Sequence, residues 1–198
     1  HLSIRRQRQM CIRDRDSIAL LLDHFEEIIK LSVKTGMGIS PNIGSKYAEV
    51  WVADKLRQFD PQLGKLREKT SADIYLKKIE KGVEVKYSTL KNGRWGWAFG
   101  EGTQFLKDKF DFCVLVAARK DGIPEKSFVI PLNAFKDDNM VKRTGVYPMN
   151  RKREKFAIVI SEEPKDYERW KDEVGESPLE EILNKNPRKF EDRWNLIR

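Results

Sequence analysis

The chain has 198 residues, of which 39% are hydrophobic and 35% charged, with a formal net charge of +8. That length suits one domain with a real core. Its longest apolar run, FCVLVAA at 112–118, is far too short to span a membrane, and the early run IALLL, met at once by Asp23, is no secretory signal, so the expected compartment is the cytoplasm.

The two cysteines, Cys11 and Cys113, and the two histidines, His1 and His24, give neither a disulfide framework nor zinc-ligand spacing. Nothing beside His24 would orient it as the base of a covalent triad.

Residues 1–15, HLSIRRQRQMCIRDR, lack apolar periodicity and are expected to be a non-native leader, leaving 16–198 as a single domain. The leader holds five Arg against one Asp, and the rest holds 34 basic against 30 acidic residues, so each part carries +4. A domain charge of that size permits nucleic-acid binding without arguing for it.

DSIALLLDHFEEIIKLSVKTG (16–36) predicts a helix, with Ile18, Leu21, Leu22, Phe25, Ile28 and Ile29 at helical spacing, Asp16 or Ser17 as cap and Gly36 at its end. MGISPNIG reads as a loop, 45–59 as a second helix and 65–70 as a short strand. Strands near 72–79 and 83–90 form a hairpin, followed by a Gly- and Trp-rich loop (91–102) and a short helix (103–110). The continuous apolar stretch 111–120 reads as a central strand, with further strands at 126–132 and 153–161 and a short helix near 133–143. The tail reads as helical, broken around 175–177. This order predicts an α/β fold: a mixed β-sheet flanked by helices, with a helical C-terminal tail.

The hairpin SADIYLKKIEKGVEVKYS (71–88) carries the chemistry. Strand side chains alternate faces, so Val83, Val85 and Tyr87 share one face and Glu84, Lys86 and Ser88 the other. Setting Ile74 opposite Tyr87 and Leu76 opposite Val85 gathers the apolar residues. It leaves the loop IEKG with Gly82 at positive φ, and it turns Asp73 to the face of Glu84 and Lys86. Such charges either face bulk water or gather to do chemistry. In the second case two carboxylates bind a hard divalent cation such as Mg²⁺, and the lysine acts on a water or on charge developing at phosphate.

Asp73 followed by Glu84-Val85-Lys86 resembles the PD-(D/E)xK motif of restriction-endonuclease-like nucleases over roughly residues 40–135, with Ala72 where proline is usual. The resemblance implies Mg²⁺-dependent (or Mn²⁺-dependent) hydrolysis of DNA phosphodiesters. Asp73 and Glu84 would hold the metal with the carbonyl of Val85 as third ligand, Lys86 would act on water and transition state, and Glu49 and Gln104 would support the site. DNA is the implied partner, and a homodimer is compatible with it. A repair or junction-resolving nuclease and an exonuclease share these features. A non-catalytic DNA-binding module shares the fold, but binding a polyanion needs no carboxylate pair.

In the loop KNGRWGWAFGEG, Arg94, Trp95 and Trp97 are candidates for phosphate contact and base stacking. The alternative is that the two tryptophans pack beneath the loop as a satellite core.

Overall fold

The computed structural model describes residues 2–59, 72–99, 110–135, 156–162 and 189–197. Their fold is α/β. A mixed four-stranded sheet has the order β1 (Ile74–Leu76), β2 (Lys81–Thr89), β4 (Phe112–Ala118), β5 (Pro124–Pro131). β2 and β4 are parallel and the outer pairs antiparallel. A second, two-stranded antiparallel sheet joins β3 (Arg94–Phe99) to β6 (Phe156–Ser161). The helices are α1 (Leu2–Lys34), α2 (Pro41–Phe59) and the single turn α3 (Leu132–Phe135).

Each face of the main sheet has its own core. Phe112, Val114 and Val116 of β4 join Val83 and Val85 of β2 and Ala48, Val52 and Leu56 of α2 on the helix side. Cys113, Leu115 and Ala117 join Trp95, Trp97, Ile158 and Ile160 on the other side. A strand buried on both faces must be apolar throughout, which is why FCVLVAA shows no alternation.

Several expectations need correction. α1 runs from Leu2, so Asp16 and Ser17 lie inside it rather than capping it; Gly36, at φ 70°, does follow its end. α2 begins four residues earlier than predicted, at Pro41. Proline lacks the N–H that a first helical residue leaves unpaired, and the Ser40 carbonyl accepts the first helical bond, from Gly44 N. Inside the helix Gly44 permits close approach to β2, because a Cβ there would lie 2.4 Å from the Tyr87 ring. The predicted loop at 91–102 contains strand β3, entered by a tight turn in which Asn92 (φ 50°) and Gly93 (φ 73°) are both left-handed. In the tail, 189–197 is not α-helical. Val129 N donates to Phe190 O and Asp192 N to Ser127 O, covering the outer edge of β5, before a 3₁₀ turn at Trp194–Leu196. The strand expected at 65–70, most of the helix at 103–110 and the tail up to residue 188 lie outside the described residues. No helix among the described residues is long and apolar enough to cross a membrane.

Candidate functional site

The hairpin register differs from the expected one by four residues. Ile74 pairs with Val83, Tyr75 with Gly82 and Leu76 with Lys81. The turn is Lys77–Glu80, and the positive φ falls on Glu80 (54°) rather than Gly82. Gly82 stays in the strand and donates its N–H to Asp111 Oδ2 at 2.8 Å, while Lys81 Nζ meets Asp111 Oδ1 at 2.7 Å. An even slip conserves faces. It also tightens the constellation, because continuing the observed register sets Asp73 across from Glu84, where the expected register set it across from Ser88.

β1 covers only residues 81–83 of β2. At the next step the chain bends at Ala72–Asp73, and Asp73 Oδ2 accepts the N–H of Val85 at 2.8 Å, so the carboxylate stands where a partner strand would otherwise continue. In a strand the N–H and C=O of one residue face the same edge, so the Val85 carbonyl opens on the side of Asp73. Further along the Glu84–Lys86 face, Ser88 Oγ accepts the N–H of Gly96 at 2.9 Å, tying β3 down. Glu84 and Lys86 lie between these two anchors.

Glu84 is 16% and Lys86 28% exposed in their side chains, and they are joined by an ion pair. Burial pushes the Glu84 carboxyl above its usual range and the charge of Asp73 adds to this, while Lys86 opposes it. Burial alone would lower Lys86, but Glu84 and then Asp73 outweigh it and hold the ammonium above its usual value.

Glu49 reaches the same neighbourhood from α2. Its side chain is 11% exposed, and both carboxylate oxygens accept from Lys46 Nζ, at 2.8 and 2.7 Å. Burial raises its pKa, with Asp73 contributing in the same direction and Lys46 opposing. Asp73 is therefore felt by Glu49, Glu84 and Lys86 together, and the four predicted residues within the described segments form one electrostatic cluster. Lys46, not among the residues expected at the site, joins the cluster through Glu49. Its signal was the i, i+3 spacing to Glu49. Gln104 lies outside the described residues.

The aromatic candidates are corrected. Trp95 and Trp97 are 2% and 1% exposed. Their indole N–H groups donate to Ala118 O at 2.7 Å and Val116 O at 3.2 Å, and Trp97 meets Phe128 edge-on at 6.2 Å. Neither ring offers a face for base stacking; both hold the second sheet onto the first. Arg94 opens β3 half-buried and in register with Ser161.

Two carboxylates and a backbone carbonyl offer only oxygen donors, which suits a hard cation that keeps several waters. Asp73 Oδ1 and Glu84 Oε2 take no hydrogen bond among the described residues. Among those residues no group of three or more His, Cys, Asp or Glu side chains is drawn together as a metal cage. No protein-family model and no curated protein matches the chain.

Proposed function

We propose that the chain is a Mg²⁺-dependent DNA endonuclease with a restriction-endonuclease-like fold. The observation that carries this reading is the convergence of Asp73, Glu84 and Lys86 at the point where β1 leaves the edge of β2, with the Val85 carbonyl on the same edge. A solvated strand face would not need a carboxylate bonded to the neighbouring backbone, nor a lysine and a glutamate paired at low exposure.

Asp73, Glu84 and the Val85 carbonyl would hold Mg²⁺ or Mn²⁺, which when bound polarises a phosphoryl oxygen and lowers the pKa of a coordinated water. The chain's own groups have separate tasks. Asp73 is oriented by the Val85 N–H, which leaves its second oxygen outward. Lys86, fully protonated at neutral pH because its pKa lies above the usual value, is a donor and a positive charge. In that state it orients an attacking water and offsets charge developing on phosphate, and it is no proton acceptor. Glu49, with Lys46, sets the charge of the side of the cluster nearest α2.

The test is incubation of plasmid and phage DNA with the protein, with and without Mg²⁺, beside Lys86→Ala. Cleavage that needs both the metal and Lys86 supports the reading. Metal-dependent cleavage that survives Lys86→Ala overturns it, as does intact DNA with a protein that binds DNA and Mg²⁺.

A further inference from the structure

α1 has two apolar faces. Ile18, Leu22, Phe25 and Ile29 face the domain, with Ile18 and Ile29 buried. About 120° round the helix lies a second stripe, by helical periodicity. Leu20, Leu21, Ile28 and Leu31 there are 56%, 43%, 43% and 59% exposed, and Met37, just beyond the helix, is 83% exposed. Leu21, His24, Ile28, Leu31 and Thr35 follow the 3-4-3-4 spacing of a helix–helix seam. A contiguous exposed apolar stripe on a folded domain marks a contact surface.

The flanking charges say what covers it. Glu27 and Lys34 border the stripe on one side, both exposed, and among the described residues neither has an ion-pair partner. Two antiparallel copies of α1 with a dyad between residues 29 and 30 set Ile28 of one copy against Leu31 of the other, twice. The same dyad brings Glu27 of one copy within two positions, about 3 Å of helix rise, of Lys34 of the other on the same side of the seam, also twice. One patch thus satisfies its own hydrophobic and electrostatic needs, as a two-fold interface requires. We infer that this stripe of α1 is a homodimer interface whose occupant is the same stripe of a second copy, paired antiparallel. The inference does not depend on the proposed chemistry.

Sedimentation equilibrium on the full chain, at low salt and across micromolar to submillimolar protein, tests it alongside thermal melts. The wild type is expected to dimerise, and Leu31→Glu to be monomeric with an unchanged melt of the monomer. Glu27→Lys, which opposes two like charges twice, is expected to weaken the dimer about tenfold. Glu27→Lys combined with Lys34→Glu is expected to restore it. A monomeric wild type, a dimer indifferent to Leu31→Glu, or a double charge exchange no tighter than the single would overturn the inference. The charge variants decide the matter even if Leu31→Glu disturbs α1.

Discussion

Replacing Lys86 with methionine separates a site built around a cation from a decorated strand, without relying on cleavage. In the wild type the Lys86 ammonium neutralises Glu84, whose side chain is only 16% exposed and which feels Asp73. Methionine keeps the bulk of the stem and removes the charge. Glu84 is then an unpaired, largely buried carboxylate, a defect that costs about 1–3 kcal/mol at neutral pH. For a chain of this size the melting temperature should fall by roughly 2–12 °C. The sign of the pH dependence follows from Glu84. Its folded pKa is already raised, so the folded state holds a proton that the unfolded state has released, and stability declines as pH rises through the folded value. Without Lys86 the rise is larger. The deficit of the variant should therefore be small below the ordinary carboxylate range and complete above the folded pKa of Glu84. Mg²⁺ replaces the missing charge, and at ten times its Kd adds about 1.4 kcal/mol to any form that binds it. The assay is differential scanning fluorimetry of wild type and variant across pH 4–8, with Mg²⁺ and with chelator. A variant as stable as wild type at neutral pH, or one that Mg²⁺ fails to stabilise, refutes the argument that Glu84 and Lys86 form a coupled pair at a cation site.

Asp73→Ala and Glu84→Ala should each abolish Mg²⁺-dependent cleavage and weaken Mg²⁺ binding by calorimetry; Asp73→Ala should melt near wild type because it relieves repulsion on Glu84, whereas Glu84→Ala should melt lower because it leaves Lys86 without its partner. Mg²⁺ affinity should rise with pH beyond the usual carboxylate range, since Glu84 is held protonated to higher pH than free glutamate and binds metal only when ionised; a flat titration curve would count against it as a ligand. Trp97→Ala should cost about 3–5 kcal/mol of stability in denaturant titrations, as expected of a 1%-exposed indole, and a small loss would contradict its core role. Gly44→Ala should destabilise by about 1–3 kcal/mol, because the new methyl meets the Tyr87 ring, whose hydroxyl is anchored on Gly122 O at 2.6 Å. A neutral result in the same titrations would mean that α2 shifts freely on β2.

Local periodicity was sufficient for much of this protein. A strand alternates faces whatever it pairs with, so the common face of Glu84 and Lys86 was legible in the sequence, and the side on which Asp73 falls survived a four-residue error in register because four is even. The uninterrupted apolar run of β4 likewise announced a strand covered on both sides. Other features depend on contacts between distant segments, which no local pattern encodes. Asp111, on the far side of β2 from β1, takes the Gly82 N–H and Lys81 and so holds in the strand the glycine that local sequence assigns to the turn. The tryptophans of β3 were legible equally as a binding loop or a core, and pairing with β6 decided for the core by giving them a second sheet to anchor. The helical reading of 189–197 failed because the free edge of β5 offers that segment hydrogen bonds that helix propensity does not anticipate. The approach of Glu49 to the cluster required α2 to pack on β2, and Gly44 is the residue that lets it come close enough. The sequence by itself determined which residues share a face; the tertiary structure decided which faces meet, because pairing and packing energies are settled between segments far apart in the chain.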